Sequence, residues 1–334
     1  MAPLISIIIP NRNGEATIGL CLEAAYRSDY SPFEVIVVDD NSGDRSVAAI
    51  ERFPCRLVRL DRHSGASAAR NAGARESRGE ILFFTDSDCL LEADTLAVAA
   101  AALLRHGPGV IVGGTYTPDP YDPDFFSRFQ SLFINYSETK HTDRADYAAG
   151  HAMVIAAGTF RRSGGFPEGF LPVAEDVEFS HRLRRAGHRV VVEPRLRVRH
   201  IFGFSLCRSL RNAAFKSMYW TVYSMRNKDI FADSGTASAE LKANLAFCFA
   251  ALTLLLVSVT IGNVLFLYLA ALAVAANVMV GRGLIMAFFR GGGAVFGVAA
   301  TAYYLSLFPL AVGTGVVAGI LHHLTPSRYL RKGG

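Results

Sequence analysis

The stretch ILFFTDSDCLLE, residues 81–92, places two aspartates at the end of an apolar run that is typical of a strand buried in a sheet. Two carboxylates separated by a single serine raise each other's pKa, so Asp86 and Asp88 require either open water or a cation between them. This part of the sequence therefore predicts either a solvated turn or a metal site.

Strand-like and helix-like segments alternate through the first ninety residues, up to and including that stretch. Four segments predict strands, with helical spacing between most of them: LISIIIP, FEVIVVDD, CRLVRL and GEILFFTDSD. Alternation at this interval indicates parallel pairing through right-handed crossovers. The predicted fold class is therefore α/β, with a Rossmann-like, doubly wound and mostly parallel sheet.

Polar clusters follow three of the predicted strands, at residues 11–13, 39–44 and 86–88. Sheets of this class bind ligands at the carboxyl ends of their strands. Because neighbouring parallel strands bring those ends together, we expect the three clusters to form one binding site.

The second half of the chain is unusually apolar. Of the 334 residues 51% are hydrophobic, and residues 245–280 and 294–321 contain no Asp, Glu, Lys or Arg. A membrane-spanning helix needs ~20 apolar residues, so we predict a transmembrane region over residues 243–322, followed by a basic tail over 323–334. The predicted segments, about three in number, are 245–261, 264–280 and 294–320.

Arginine dominates residues 181–211, just before the apolar half. This position favours attraction to anionic lipid headgroups and diphosphates over nucleic-acid binding. Residues 204–228 place apolar and basic side chains on largely opposite sides of a helix. We therefore expect residues 204–242 to form an amphipathic helix and linker at the membrane interface, with packing on the globular domain as the alternative.

Cysteine usage and the amino terminus favour a cytoplasmic setting. The chain has five cysteines and no CxxC pair, which argues against a disulfide framework and against a zinc site. The apolar start LISIIIP has only the length of a strand, so we expect no signal peptide. The predicted location is the cell inner membrane, multi-pass, with residues 1–203 in the cytoplasm.

Five motifs together resemble a known family. In order along the chain they are SIIIPNRN, EVIVVDDNSGD, GASAARNAG, ILFFTDSDC and AEDVEFSHRLRRAGHRV. The set resembles the inverting family 2 glycosyltransferases of the GT-A fold over about residues 4–205, and the apolar remainder resembles the membrane-anchored bacterial members. The resemblance implies a GT-A domain over residues 1–203.

The resemblance also implies a nucleotide-sugar site. Asp40 matches the aspartate that reads the base, Arg70 an arginine near the phosphates, and Asp86 a contact to ribose or to the metal's water. Pro10 and Arg12 belong to the same site, although relatives frequently have an aromatic residue in place of Arg12. By the same resemblance, Asp88, Asp86 and His200 would hold a divalent cation, Mg²⁺ or Mn²⁺, at the diphosphate.

Asp176 and Glu175 match the family's catalytic pair at the start of a helix. Inversion by single displacement needs a base that removes the acceptor's proton, and a carboxylate can do this. The alternative is favourable charge placement at a helix N-terminus, worth under about 1 kcal/mol. Gly150 and His151 match the segment that borders the donor sugar or the acceptor.

The predicted function is metal-dependent, inverting transfer of a sugar from a UDP- or GDP-sugar to a hydroxyl of a lipid or lipid-linked acceptor. The expected partners are the donor, that acceptor and membrane lipids, without nucleic acid; the sequence leaves the oligomeric state open. Two alternatives stand beside it: a polyprenyl-phosphate glycosyltransferase, whose anionic acceptor needs no base, and a non-catalytic recruitment protein. A processive synthase is disfavoured because the chain has SHRLRRAG, residues 180–187, where such synthases carry QxxRW.

Overall fold

Eight strands and twelve α-helices make up residues 2–325, which a computed structural model of the protein describes. The strands are β1 (Ile5–Asn11), β2 (Phe33–Asp39), β3 (Arg56–Arg59), β4 (Ile81–Phe84), β5 (Cys89–Leu91), β6 (Val110–Tyr116), β7 (Met153–Ala156) and β8 (Arg189–His200). The helices are α1 (Ile18–Tyr26), α2 (Ser46–Ile50), α3 (Ala66–Glu76), α4 (Thr95–His106), α5 (Phe125–Thr139), α6 (Ala157–Arg162), α7 (Glu175–Arg185), α8 (Leu206–Asn227), α9 (Ala239–Ile261), α10 (Leu265–Val280), α11 (Arg282–Leu305) and α12 (Leu307–Leu324). A short 3₁₀ turn, Gly150–Ala152, precedes β7.

The chain divides into two compact units. The first comprises the residues up to 123 together with 138–203, and the second comprises 124–137 together with the residues from 204 onward. The first contains the whole sheet. Helix α5 lies mostly in the second unit, although the chain segments before and after it belong to the first.

The first unit is built on one mixed sheet with the strand order β3-β2-β1-β4-β7-β6-β8-β5. The first four of these strands pair in parallel, as their alternation with helices predicts. Strand β7 pairs antiparallel with both β4 and β6, and β5 pairs antiparallel with β8. The α/β class with a doubly wound sheet is confirmed, and antiparallel strands fill much of its other half.

Helix α3 lies close against the parallel half of the sheet because its buried side is made of small residues. A Cβ on Gly73 would lie 2.5 Å from the side chain of Ile8 on β1. Ala69 and Ala72 pack with Ile36 and Val38 of β2 in the same buried cluster. This close packing fixes α3 next to the carboxyl ends of β1 and β2.

The register of the parallel strands brings two of the polar clusters together. Asn11, the last residue of β1, is the Cα partner of Asp39, the last residue of β2. Its side-chain amide donates to the Asp39 carboxylate at 3.0 Å. Strand β4 pairs with β1 as far as Phe84 and Ile8, so the third cluster begins at the same edge.

The second unit is helical. Helices α9 and α10 are joined by a short turn in which Gly262 takes a positive φ of 69°. A buried amide chain links three helices: Asn277 donates to the Asn244 side chain at 2.8 Å, and Asn244 donates to the carbonyl of Tyr304 at 2.8 Å. Helix α11 is interrupted at Gly293, whose φ is 78°.

Two helical stretches, Ala239–Ile261 and Arg282–Leu324, are long and apolar enough to cross a membrane. Only 17% of the apolar window in the first stretch is buried, whereas a core helix of a soluble protein is mostly buried. Leu265–Val280 is also apolar but shorter. The number of spans therefore stays a prediction, and the basic tail from residue 326 lies outside the described residues.

Helix α8 packs along α12 by close backbone approach. A Cβ on Gly315 would overlap the carbonyl oxygen of Ala214, and a Cβ on Gly319 would lie 2.5 Å from that of Met218. The two contacts advance in the same direction along both helices, so α8 and α12 run parallel. The position of residues 204–242 at the membrane interface remains a prediction. Because α8 packs on α12, this prediction concerns both helices.

Candidate functional site

The two aspartates of the opening motif lie in a tight turn between β4 and β5. The Cys89 N–H donates to the Asp86 carbonyl at 3.1 Å, which turns the chain back into β5. Strand β5 then pairs with β8 so that Cys89 is the Cα partner of His200. This pairing brings the His200 Nε2 to 3.5 Å from the Asp88 carboxylate.

Arg70 on α3 connects two acidic segments that are far apart in the chain. Its guanidinium donates to Asp86 and to Glu175, each at 2.7 Å. The side chain is only 4% exposed, so this is a buried cation held between two carboxylates. Gly150 makes room for it, because a Cβ there would lie 2.9 Å from the guanidinium.

Asp176 lies beside Glu175 at the start of α7. One carboxylate oxygen accepts the Gly150 N–H at 2.9 Å, and the other accepts the Val177 N–H at 2.8 Å. The preceding residue, Ala174, has a φ of 74° in the left-handed region. A residue with a Cβ is strained there, and such strain concentrates at functional sites.

Three carboxyl groups near Arg70 have shifted pKa values. Burial raises the pKa of Asp86, but Arg70, His151 and His200 together outweigh it and lower that pKa overall. Burial and then the neighbouring Asp86 raise the pKa of Asp88 to about 7. Burial and then Glu175 raise the pKa of Asp176 to about 6. Two groups near Arg70 can therefore change protonation close to neutral pH.

The Asp40 carboxylate shapes the loop that follows β3. It accepts the N–H groups of Ser64 and Gly65, at 2.6 and 2.9 Å, and the Nδ1–H of His63 at 2.7 Å. The Nε2 of His63 lies 3.1 Å from the Arg12 guanidinium. Since a carboxylate only accepts and a guanidinium only donates, His63 is the neutral Nδ1–H tautomer.

An open cleft of about 580 Å³ lies between this loop and the aspartate turn. Its walls include most of the residues expected to bind the nucleotide. The lining residues are Pro10, Asn11, Arg12, Asp40, His63, Ala66, Ala69, Asp86, Ser87 and Asp88. Residues of all three strand-end clusters thus line one cleft, and its use as a binding site stays a prediction.

His151 is buried on the other side of the aspartates. Its ring stacks on Tyr116 with centroids 4.0 Å apart, and Tyr116 meets the His200 ring edge-on at 5.0 Å. The His151 Nε2 lies 3.5 Å from the buried Glu138 carboxylate. His151 therefore belongs to an aromatic and acidic wall that also positions His200.

The donor groups near Asp88 fit a divalent cation. Ligand atoms of Asp88, Cys89 and His200 all lie within 4.8 Å of one another. Burial raises the pKa of the Cys89 thiol well above its usual value, so the thiol stays protonated and is a poor ligand. A carboxylate oxygen and an imidazole nitrogen remain, and the close Asp86–Asp88 pair favours a cation beside it.

Sequence reasoning missed three residues of this site, His63, Tyr116 and Glu138. His63 has the same signal as the predicted clusters, a polar residue just beyond the carboxyl end of a strand. Tyr116 ends β6, a strand that the sequence analysis did not assign. Glu138 has no local signal, because only the tertiary fold brings it to His151.

Comparisons with known proteins agree with this geometry. Residues 6–163 match the family model described as glycosyl transferase family 2. An uncharacterized glycosyltransferase of Haemophilus influenzae is 32% identical over 146 residues, 40% of this chain and 49% of that protein. Glycosyltransferase AglE of Haloferax volcanii is 28% identical over 193 residues, 56% of this chain and 63% of that protein. The chain spans less than two thirds of these relatives.

A solved structure extends the likeness to nearly the whole chain. The mannosyltransferase PcManGT of Pyrobaculum calidifontis, in complex with GDP-Man and Mn²⁺, has a TM-score of 0.59 at 18% identity. The match covers 97% of this chain and 88% of that one. At this identity the likeness concerns the fold alone, which is GT-A-like.

Proposed function

We propose that this chain, whose residues 6–163 match the model of glycosyl transferase family 2, is a glycosyltransferase that transfers a sugar from a UDP- or GDP-sugar to a lipid-borne hydroxyl with inversion. The observation that carries the proposal is the buried Arg70 bridge. It joins Asp86, beside the candidate metal site, to Glu175, beside the candidate base. A diphosphate-sugar held at the aspartates would thus place its reacting carbon near Asp176.

The donor half of the site supports a nucleotide-sugar with a divalent cation. Asp88 and His200 would hold Mg²⁺ or Mn²⁺, which neutralises charge on the departing diphosphate. Asp86 stays ionised next to Arg70, and the cleft between Arg12 and Asp88 has room for the nucleotide. The complex of the structural relative with GDP-Man and Mn²⁺ is consistent with this choice of ligands.

Asp176 is the proposed base. With a pKa of about 6 it is mostly ionised at neutral pH, yet still basic enough to take a proton. In the proposed reaction the acceptor oxygen attacks the anomeric carbon and its proton passes to Asp176. The bond from that carbon to the diphosphate oxygen breaks with the electron pair on the leaving group. Attack opposite the leaving group inverts the configuration.

We place the acceptor at the cytoplasmic face of the inner membrane as part of the proposal, and the exposed apolar helices of the second unit support its membrane attachment. Helix α9 leaves large apolar side chains such as Leu256 and Val259 exposed, by 64% and 82%. Extensive apolar surface of this kind is typical of contact with lipid.

The test is donor turnover by the full-length protein in lipid nanodiscs. Nucleotide-sugars are first screened by thermal shift with and without Mn²⁺, because a ligand that binds only the folded state raises the melting temperature. Transfer to lipid extract is then measured for wild type, Asp88→Asn and Asp176→Asn. We expect both variants to lose transfer, and Asp88→Asn also to lose the Mn²⁺-dependent thermal shift.

Two outcomes would redirect the proposal. Full transfer by Asp176→Asn would favour a polyprenyl-phosphate acceptor, which is already an anion. A wild-type protein that neither binds nor turns over any nucleotide-sugar would favour a recruitment role instead.

A further inference from the structure

A groove in the second unit lies outside the site described above. It has a volume of about 490 Å³ and is bounded by α5, α8, α9 and α12 with the loop before α9. Its lining residues are Gln130, Phe133, Ile134, Asn212, Ala213, Lys216, Ser217, Trp220, Thr236, Ala237, Leu241, Phe308 and Val312.

The groove is apolar on its floor and cationic on its rim. Phe133, Leu241 and Phe308 supply apolar surface from three different helices. Lys216 is the single charged residue among those that line it, and no ion pair of Lys216 occurs within the described part of the chain. An apolar trough with one unpaired cation is complementary to an apolar chain with an anionic head.

The polar side of α8 extends this arrangement along the helix. Arg208, Asn212, Lys216 and Trp220 follow one another at four-residue spacing, so they form one stripe on the helix surface. Basic residues with a neighbouring tryptophan are characteristic of helices at a membrane interface.

We propose that this groove binds one lipid whose headgroup carries a phosphate. The apolar chain lies against Phe133, Leu241 and Phe308, and the phosphate pairs with Lys216. The exposed apolar side chains of α9, from Phe249 onward, lie further along the helix that contributes Leu241 to the groove. The occupant is a membrane phospholipid with an anionic headgroup; a polyprenyl phosphate, which has a similar headgroup, is an outcome that the test separates. The inference goes beyond the proposed transfer reaction, because binding requires no sugar donor.

The chain supplies its own probe, since Trp220 is its only tryptophan and lines the groove. The full-length protein is placed in phosphatidylcholine nanodiscs with increasing fractions of bromine-labelled phosphatidylglycerol or, separately, bromine-labelled phosphatidylcholine. Bromine quenches tryptophan fluorescence on contact. We expect the anionic lipid to quench at about fivefold lower mole fraction, because one lysine contributes about 1 kcal/mol toward an anionic headgroup.

Two variants test the groove itself, and a third serves as the control. Lys216→Gln should abolish the anionic preference, and Ala213→Leu, which fills the groove, should reduce quenching by both lipids. Arg226→Gln removes a cation from the same helix outside the groove and should retain the preference. A melting temperature equal to that of wild type verifies that each variant is folded.

Competition identifies the source of the phosphate. Restoration of fluorescence by unlabelled phosphatidylglycerol supports the proposal. Restoration by unlabelled polyprenyl phosphate alone, where neither phosphatidylglycerol nor polyprenol has an effect, identifies a polyprenyl lipid as the occupant and overturns the proposal. Equal quenching by both brominated lipids, or a preference that survives Lys216→Gln, overturns it, as does fluorescence that responds to neither lipid. Since no donor is present, none of these results depends on whether the transfer reaction occurs.

Discussion

The pH dependence of transfer should contain two steps, of which only one depends on the metal ion. The first step belongs to Asp176, whose pKa burial and Glu175 raise to about 6. A base with that pKa is about 9% ionised at pH 5 and about 91% ionised at pH 7, so kcat/KM should rise about tenfold between them. The sign follows from the base role, because only the ionised carboxylate can accept the acceptor's proton.

The second step belongs to Asp88, whose pKa burial and Asp86 raise to about 7. A proton and a metal ion compete for this carboxylate, so metal affinity falls as the pH falls. At limiting Mn²⁺ the rate should therefore drop further between pH 8 and pH 6. Saturating Mn²⁺ should remove this step, because the ion holds the carboxylate ionised, and should leave the step near pH 6 in place.

The assay is the initial rate of nucleoside diphosphate release between pH 4.5 and 8.5, at constant ionic strength, with full-length protein in nanodiscs. Glu175→Gln should move the lower step to more acidic pH, because it removes a negative charge that raises the pKa of Asp176. Asp176→Asn should lower the rate by about 100- to 10,000-fold and abolish that step. A step near pH 6 that survives in Asp176→Asn, or an upper step that ignores the Mn²⁺ concentration, would refute the assignment.

Three further predictions concern single residues. Arg70→Met should lower the free energy of unfolding by about 3 kcal/mol, because it leaves two carboxylates without their buried cation. Arg70→Lys keeps the positive charge and should lower the free energy of unfolding by less. Both are measured by chemical denaturation of the full chain. Ala174→Gly should not destabilise the protein in the same measurement, since it relieves a positive φ, whereas Ala101→Gly inside α4 should cost about 1 kcal/mol. His200→Ala should weaken Mn²⁺ binding about tenfold or more in calorimetry, while Cys89→Ala should leave it unchanged.

The parallel half of the sheet could be predicted because its signals are local. Each strand from β1 to β4 follows its predecessor after a short helix, so parallel pairing through right-handed crossovers could be predicted for them. The other half depends on pairings between distant segments: β7 enters beside β4 from residue 153, and β8 pairs with both β5 and β6. Strand propensity alone gives no such order.

Helix α5 was missed although its sequence carried a signal. Phe125, Phe129 and Phe133 recur at four-residue spacing, which favours an apolar helix face. The segment before it, TPDPYDPD at residues 117–124, is rich in Pro and Asp and favours a loop. That this helix lies mostly in the second unit could not be inferred, because neighbouring sequence belongs to the first.

For the site, residue types were predictable and contacts were not. Asp40 was expected to face a base, yet its carboxylate is shared among three donors of the loop 63–65. Arg70 was expected near the phosphates, but its bridge from Asp86 to Glu175 joins residues that only the fold brings together. The role of Asp40 in base recognition therefore remains a prediction. The Arg70 bridge is a structural finding.

The Arg70 bridge explains how carboxylates in one cluster can serve different functions, metal binding and proton transfer. The acids form two adjacent pairs, Asp86 with Asp88 and Glu175 with Asp176, and Arg70 holds one member of each pair by an ion pair. The other member of each pair has no ion pair with Arg70. Burial and then the like charge beside it raise its pKa, to about 7 for Asp88 and about 6 for Asp176. Groups whose environments drive their pKa values apart are the ones that divide acid and base roles in enzymes. Arg70 thus pairs with Asp86 and Glu175 and leaves Asp88 and Asp176 outside its ion pairs; these are the carboxylates that we assign to metal binding and to proton transfer.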